Sequence, residues 1–320
     1  MSAATFQVLL TGRIDADERA AWLAALRVAA PDCTWWSDDD GEVPREAIAA
    51  AVVANPAPGS LQGLPRLRLV QSLWAGVDKL LADATLPPQV PLARMVDPAM
   101  NTAMAETALW AVLSLQRGFF DYAAQQRARE WRQQAQFRAD DVSVLVLGLG
   151  QMGAAVATRL AAQGYRVSAW RATPSDRPVP AVVAVHAGDD ALAALLPEAN
   201  IVVNLLPLTP STRGLLDARF FAALPRGASL VNLARGAQVV DDDLLAALDS
   251  GYLYRAVLDA FDPEPLPLDH RYWQHPAVTV LPHVAALTDV RSAAQVVVAN
   301  LRALREGTAL LHLVDRARGY

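Results

Sequence analysis

Several features that would place a protein in a special class are scarce in this chain. Its single cysteine, Cys33, cannot form an internal disulfide, and no paired Cys/His spacing suits zinc. We therefore expect a reducing compartment and no bound metal. The N-terminus lacks the basic and apolar regions of a secretory signal, and no apolar run reaches the roughly 18 residues of a membrane-spanning helix. These absences predict a cytoplasmic protein that does not contact a membrane.

Positive charge is scarce as well. Lys and Arg number 28 against 33 Asp and Glu, which gives a formal net charge of −5. The basic residues occur only as scattered pairs, so nucleic acid is not expected as a partner. Hydrophobic residues make up 53% of the chain and charged residues only 19%. This balance favours large buried parallel sheets and a sizeable contact between subunits.

The abundant apolar residues alternate between strand and helix patterns. Helical periodicity predicts helices at Asp17–Ala29, Met100–Arg117, Phe119–Arg132 and Thr288–Arg305. The apolar runs between them predict an α/β unit in the first hundred residues and a doubly wound parallel sheet of six or more strands from Val142 onward. The predicted strands are Phe6–Leu10, Ala51–Ala54, Leu67–Ser72, Val90–Met95, Val142–Leu147, Arg166–Trp170, Val182–Val185, Ile201–Leu205, Ser229–Leu233, Tyr254–Leu258 and Val278–Leu281.

A Gly-x-Gly-x-x-Gly motif lies between a predicted strand and a predicted helix, the setting of a dinucleotide-binding fingerprint. Gly148 is expected to allow the tight turn, Gly150 to let the backbone approach a pyrophosphate, and Gly153 to let the helix pack close to the strand. A glycine-rich turn without a nucleotide is the alternative interpretation. The predicted cofactor contacts of this turn are Gly148, Gly150, Gln151, Met152 and Gly153.

The end of the next strand indicates which dinucleotide binds. An NAD-selective chain needs an Asp or Glu about twenty residues past the fingerprint, whereas a 2′-phosphate needs an arginine there. Here the strand runs into Arg171 and Thr173, and no carboxylate occurs before Asp176. The pattern favours NADPH, with NADH as the second option. An exposed loop arginine is the competing interpretation of Arg171.

The remaining strand ends carry the residues that predict catalysis. Ligands of open α/β sheets bind at the carboxyl ends of strands. Arg235 follows such a strand, and its planar fork suits a carboxylate, although an ion pair within Asp241–Asp243 would also explain it. Glu264 and His283 follow the next two strands. They predict a dyad in which the acid holds one ring nitrogen and the other donates a proton, whereas a lone histidine is more often structural.

These motifs, in this order, resemble the D-isomer-specific 2-hydroxyacid dehydrogenase family. The similar segments are Gly-Leu-Gly-Gln-Met-Gly at 148–153, Asn-Leu-Ala-Arg-Gly at 232–236, Asp-x-Phe-x-x-Glu-Pro-Leu-Pro at 259–267 and Pro-His-Val-Ala at 282–285. The segments 74–78, 242–251, 272–276 and 314–320 are similar to its glyoxylate/hydroxypyruvate reductase branch.

The resemblance implies a role for each site residue. Arg235 would hold the substrate's carboxylate and carbonyl, His283 would give the proton, and Glu264 would tune His283; these are the predicted catalytic residues. Backbone amides near Ala75 and Gly76 would complete the carboxylate site, and Asp259 would help to seat the nicotinamide. The implied substrate contacts are Trp74, Ala75, Gly76, Arg235 and His283. The further cofactor contacts are Arg171, Thr173, Leu206, Pro207, Leu233, Ala234, Asp259 and Ala285.

The resemblance also implies an architecture of two Rossmann-like or flavodoxin-like domains with doubly wound parallel sheets. Residues 1–98 and 287–320 would form a discontinuous substrate domain, and 99–286 the dinucleotide domain. An arm near 119–138 would make a homodimer. Trp131 stands in this arm where related reductases place a bulky residue near the neighbouring active site, and ordinary interface packing explains it equally well.

The function that follows from the resemblance is reduction of small 2-oxo acids with NADPH. Glyoxylate would give glycolate, and hydroxypyruvate would give glycerate. A dehydrogenase for a larger D-hydroxy acid is one alternative. A nicotinamide-sensing protein without catalysis, similar to corepressors of the same fold, is the other.

Overall fold

The protein is described from a computed structural model that covers residues 6–174, 179–181 and 183–320. In this part of the chain, parallel strands alternate with helices. The strands are β1 (Phe6–Gly12), β2 (Cys33–Ser37), β3 (Ala50–Ala54), β4 (Leu69–Ser72), β5 (Leu92–Ala93), β6 (Ser143–Leu147), β7 (Arg166–Arg171), β8 (Ala184–Ala187), β9 (Ile201–Asn204), β10 (Ser229–Asn232), β11 (Arg255–Leu258) and β12 (Val278–Val280). The helices are α1 (Ala16–Ala29), α2 (Asp78–Leu81), α3 (Pro98–Arg117), α4 (Phe119–Ala128), α5 (Gln151–Ala162), α6 (Asp189–Leu195), α7 (Ala218–Ala222), α8 (Asp241–Asp249) and α9 (Val290–Glu306).

The first compact unit comprises residues 1–100 and 288–320. Its five parallel strands have the order β2-β1-β3-β4-β5, which is the flavodoxin-like arrangement. The returning C-terminal segment is tied to the sheet through buried polar groups, since Asn300 Nδ2 donates to Gln71 Oε1 at 2.7 Å. Both side chains are fully buried, so this contact fixes α9 against β4.

The second unit comprises residues 101–287. Its seven parallel strands have the order β12-β11-β10-β9-β6-β7-β8, which is the Rossmann order with one additional strand. The strand order reverses between β6 and β9, and ligands of such sheets bind at this switch point. The expectation of two α/β units with doubly wound parallel sheets is confirmed.

Both faces of the second sheet are covered, which explains its continuous apolar strands. Val144 and Val146 of β6 pack on one side with apolar residues of α3 and α5. Leu145 and Leu147 pack on the other side, where Phe221 lies. Because successive side chains of a strand point to opposite faces, a strand between two helical layers needs apolar residues at every position. No helix within the described residues is long and apolar enough to cross a membrane.

Several predicted boundaries shift for local reasons. The strand β2 was not predicted, although Trp35 is buried in it. The predicted helix 119–132 ends at Ala128, because Arg129 adopts a left-handed φ of 56°. The predicted strand 90–95 is only Leu92–Ala93. Of the predicted strand 182–185, Val182 lies outside the described residues, and the observed strand is Ala184–Ala187.

Candidate active site

The candidate site lies at the carboxyl ends of the strands of the second unit. Asn204 is in register with Leu147 and with Asn232, and Leu258 is in register with Asn232 and Val280. The loops that follow β6, β9, β10, β11 and β12 therefore leave the sheet at one level. This register brings sequence-distant segments to a single edge.

Two glycines of the β6–α5 turn are sterically required. Gly148 has a φ of +92°, and a Cβ there would lie 2.8 Å from the carbonyl oxygen of Leu205. A Cβ on Gly153 would lie 1.8 Å from the carbonyl oxygen of Gly148. The helix thus starts in direct contact with its own preceding turn, which no larger residue permits.

Gly150 has a different environment, which suits a ligand. No atom lies within 4 Å of the position that its Cβ would take. Helix α5 begins at the next residue, Gln151, and its first backbone N–H groups have no partner within the helix. Open space beside the positive end of a helix is the environment in which dinucleotide diphosphates bind. The turn therefore fits the predicted cofactor, with Gln151 and Met152 in the first helical turn.

The end of β7 provides a cation beside this turn. Trp170 is buried and donates from Nε1 to the carbonyl oxygen of Gly188 at 2.8 Å. Arg171 is half-buried, and its Nε is shielded from solvent without a hydrogen-bond partner among the described residues. Thr173 is exposed, and Asp176 lies outside the described residues. A buried guanidinium nitrogen without a partner suits an anionic group such as a ribose phosphate.

Two buried asparagines anchor the loops after β9 and β10. Asn204 Nδ2 donates to Asn232 Oδ1 at 2.9 Å, and both residues are fully buried. Their side-chain oxygens accept from the backbone of the predicted cofactor contacts Leu206 and Ala234, each at 3.3 Å. The side chains of Leu206, Leu233, Ala234 and Ala285 are themselves buried, and Pro207 is half-buried.

Arg235 follows β10 and is half-buried. Its Nη1 donates to the carbonyl oxygen of Ala234 at 2.8 Å. A Cβ on the next residue, Gly236, would lie 2.0 Å from the carbonyl carbon of Phe261, so the Arg235 loop touches the loop after β11. Two of the acids weighed as ion-pair partners have other contacts, since Asp241 accepts from Tyr272 and Asp243 from the Ala218 backbone.

Glu264 and His283 form the predicted pair. His283 Nδ1 lies 3.0 and 2.9 Å from the two carboxylate oxygens of Glu264. The backbone N–H of Phe261 also donates to Glu264 Oε1 at 2.9 Å, which fixes the carboxylate. The histidine side chain is 48% exposed and the glutamate side chain 27%. Nearly half of the His283 side chain is thus exposed while its Nδ1 is held by Glu264.

Asp259 holds the backbone that carries His283. Its carboxylate accepts from the N–H groups of Val284 at 2.7 Å and Ala285 at 3.0 Å. Burial raises the pKa of Asp259 above its ordinary value, and these two amide hydrogen bonds oppose the rise. His283 itself has a left-handed φ of 57°, a conformation that a non-glycine residue keeps only when its surroundings enforce it. The sequence motif did not reveal that Asp259 binds the backbone amides of Val284 and Ala285.

The predicted substrate turn belongs to the first unit and follows β4. Trp74, Ala75 and Gly76 are half-buried. Ser72 Oγ accepts from the Trp74 N–H at 3.1 Å and donates to the Trp74 carbonyl at 3.0 Å. The turn is therefore fixed by its own strand. Within the described ranges, no group of three or more His, Cys, Asp or Glu residues is placed to hold a metal ion.

This combination of a glycine turn, a strand-end arginine and an imidazole–carboxylate pair defines a dinucleotide-dependent dehydrogenase. Residues 109–285 match the family model described as D-isomer specific 2-hydroxyacid dehydrogenase, NAD binding domain. The chain belongs to the D-isomer specific 2-hydroxyacid dehydrogenase family, whose members are NAD(P)-dependent oxidoreductases.

Solved structures agree over nearly the full length. A D-isomer specific 2-hydroxyacid dehydrogenase from Xanthobacter autotrophicus Py2, in complex with NADPH and MES, is 38% identical with a TM-score of 0.93, covering 99% of this chain and 100% of that one. An NADPH-dependent glyoxylate/hydroxypyruvate reductase from Sinorhizobium meliloti, with NADP and sulfate, is 36% identical with a TM-score of 0.91, covering 98% and 100%. A probable 2-hydroxyacid dehydrogenase from Rhizobium etli CFN 42, with NADP, HEPES and L(+)-tartaric acid, is 29% identical with a TM-score of 0.89, covering 98% and 100%.

Proposed function

We propose that this protein reduces small 2-oxo acids with NADPH, converting glyoxylate to glycolate and hydroxypyruvate to glycerate. The observation that carries the proposal is the His283–Glu264 pair, which stands at the end of β12 with the Arg235 loop two strands away. The reductase of Sinorhizobium meliloti supports this substrate class. Trp74, Ala75 and Gly76 are proposed as further substrate contacts.

The chain's own residues have separate tasks in this reaction. Arg235 binds the substrate carboxylate and stabilises the carbonyl oxygen as negative charge develops on it, an effect worth about 3 kcal/mol. His283 donates a proton from Nε2 to that oxygen, because its Nδ1 is occupied by Glu264. When bound, NADPH supplies the hydride for the carbonyl carbon. One hydride and one proton convert the 2-oxo acid into the 2-hydroxy acid.

The preference for NADPH is proposed from the end of β7. Arg171 has a buried nitrogen without a partner in the described chain, and the described residues from Arg171 to Pro174 include no carboxylate that would bind a ribose 2′-hydroxyl. The bound NADPH and NADP of the relatives support this preference. Arg171→Ala should raise the KM for NADPH by at least about tenfold, the effect of one lost charge-assisted contact, and leave the KM for NADH nearly unchanged.

A substrate and cofactor panel tests the proposal. NADPH or NADH oxidation is followed with glyoxylate, hydroxypyruvate, pyruvate and a bulky aromatic 2-oxo acid. We expect the highest kcat/KM with NADPH and either glyoxylate or hydroxypyruvate. A higher kcat/KM with the aromatic acid would favour the dehydrogenase for larger substrates. NADPH binding without turnover of any acid would favour the non-catalytic sensor.

We also propose a homodimer formed through the arm at residues 119–138. The arm is held along its own unit, since Gln116 Nε2 donates to the Phe137 carbonyl at 2.7 Å. It nevertheless leaves Trp131 97% exposed and Phe137 60% exposed, and large apolar side chains of this kind are typical of interface anchors. Trp131→Ser should weaken the dimer, measured as molar mass against concentration by light scattering. Val28→Ser, at a position 82% exposed in the first unit, is the matched control.

A further inference from the structure

Gln238 is a fully buried side chain that joins the loops of the site. It lies in the short helical turn 236–238 that follows Arg235. Its Oε1 accepts from the backbone N–H of Arg235 at 3.2 Å and from Asn204 Nδ2 at 2.8 Å. Its Nε2 donates to the carbonyl oxygens of Leu206 at 3.2 Å and Pro207 at 3.1 Å. An amide side chain has two donors and two acceptor positions, and all four are used here.

The main chain of Arg235 is held on both sides by buried amides. Its N–H donates to Gln238, and its carbonyl oxygen accepts from Asn232 Nδ2 at 3.1 Å. The residue itself has an ordinary extended conformation, with φ −139° and ψ 141°. The guanidinium therefore extends from a Cα whose position is set by two neighbouring side chains. Neither of these side chains is part of the predicted substrate site.

The same amide holds the loop after β9. Leu206 and Pro207 were predicted to face the cofactor, and their carbonyl oxygens are fixed by Gln238 Nε2. The predicted cofactor loop and the predicted substrate arginine thus share one side chain. Buried hydrogen-bond networks of this kind are rigid, because an amide that moves leaves several buried groups without partners.

We propose that Gln238 is a positioning residue for Arg235 and keeps its guanidinium aligned with the substrate carboxylate. This inference rests on the proposed function. Gln238→Met preserves length and apolar volume but removes all four hydrogen bonds. Small displacements of a binding group cost up to about 10²-fold in rate, so we expect kcat/KM for glyoxylate to fall by about 10- to 100-fold.

A double-mutant cycle separates positioning from a merely structural role. If Gln238 acts through Arg235, Gln238→Met should lower kcat/KM by less than about threefold in an Arg235→Lys background. The reason is that the effects of substitutions at coupled residues do not add as free energies. The proposal would be overturned if the loss of kcat/KM in the double variant equalled the product of the losses in the two single variants. The control is Gln125→Met in α4, because Gln125 is also buried and its Nε2 has no partner among the described residues. It should leave kcat/KM unchanged.

Amide hydrogen exchange tests the same inference without turnover. In Gln238→Met, the backbone amides of residues 233–236 should exchange at least about tenfold faster than in the wild type, and those of β6 should not change. Equal exchange at residues 233–236 would overturn the positioning role. A wild type that reduces no 2-oxo acid would instead refute the proposed function, and the exchange result would still be interpretable.

Discussion

The carboxylate of Glu264 lies 2.9 Å from Nδ1 of His283. An ionised carboxylate can only accept hydrogen bonds, so Nδ1 must be the protonated donor in this pair. The second ring nitrogen, Nε2, is then the atom available for proton transfer. The pair joins the loops after β11 and β12, which are neighbouring strands. Tertiary structure thus defines the tautomer of a residue that the sequence identifies only by type.

The first prediction concerns this pair. His283→Ala should lower kcat by about 10²- to 10⁴-fold, the usual contribution of a general acid. The Kd for NADPH, measured by fluorescence, should stay within about twofold of the wild-type value, because the imidazole is proposed to act on the substrate. Glu264→Gln should have a smaller effect, because a neutral amide can still accept from Nδ1. Wild-type turnover in His283→Ala would exclude the histidine as proton donor.

The second prediction concerns Asp259. In Asp259→Asn one acceptor becomes a donor and faces a backbone N–H, so the loop at Val284 and Ala285 loses one hydrogen bond. We expect kcat to fall by about 10- to 100-fold through misplacement of His283. Asp217→Asn is the control, since Asp217 also accepts from a backbone N–H, that of Phe220, at a helix start that carries no predicted site residue. If NADPH affinity fell and kcat did not, the nicotinamide contact would be the main role of Asp259.

The third prediction contrasts two glycines of one turn. Gly150→Ala should change the free energy of unfolding by less than about 0.5 kcal/mol, because its φ is an ordinary −73° and its surroundings are open. The added methyl group should nevertheless raise the Kd for NADPH by at least about tenfold, since it occupies the proposed diphosphate site. Gly153→Ala should destabilise the protein by about 3 kcal/mol through its backbone clash. Calorimetry and fluorescence titration measure the two effects separately.

The fourth prediction concerns pH. Burial raises the pKa of Asp121, but hydrogen bonds from Tyr254, Gln134 and Arg255 outweigh it, so the pKa lies below the ordinary value of 3.8. A carboxylate whose pKa is lowered by folding stabilises the folded state at pH values above 3.8. This stabilisation is lost as the pH falls through the pKa of the folded state. Asp121→Asn should therefore lower the free energy of unfolding at pH 7 by only about 1 kcal/mol, because solvent screens this partly exposed carboxylate. The difference should shrink below pH 4.

Urea unfolding of both proteins across this pH range measures the effect. Asp140→Asn is the control, because Asp140 also has a lowered pKa beside Arg138 but has an exposed side chain. We expect no measurable change in its stability, since exposed ion pairs contribute little. A constant difference between wild type and Asp121→Asn at all pH values would contradict the assignment.

Most helices and strands could be predicted, because their periodicity is local. The centres of β6 and β10 are continuous apolar runs. Helix α9 is flanked by the capping residues Asp289 and Gly307. The strand β2 could not be predicted in the same way. Its sequence, Cys-Thr-Trp-Trp-Ser, alternates little, and only pairing with β1 makes it a strand. The end of α4 at Arg129 likewise has no breaker in the sequence.

The sequence by itself determined the residue types at the strand ends, the glycine turn and the alternation that produces two parallel sheets. These features depend on neighbouring residues and on the fixed geometry of strands and helices. Only the tertiary structure decided that Asp259 supports the His283 loop and that Gln238 joins the loops of Arg235 and Leu206. The contacts of Asp259 with Ala285 and of Gln238 with Leu206 link residues far apart in the chain. Parallel register, which no local pattern encodes, brings these residues within hydrogen-bonding distance.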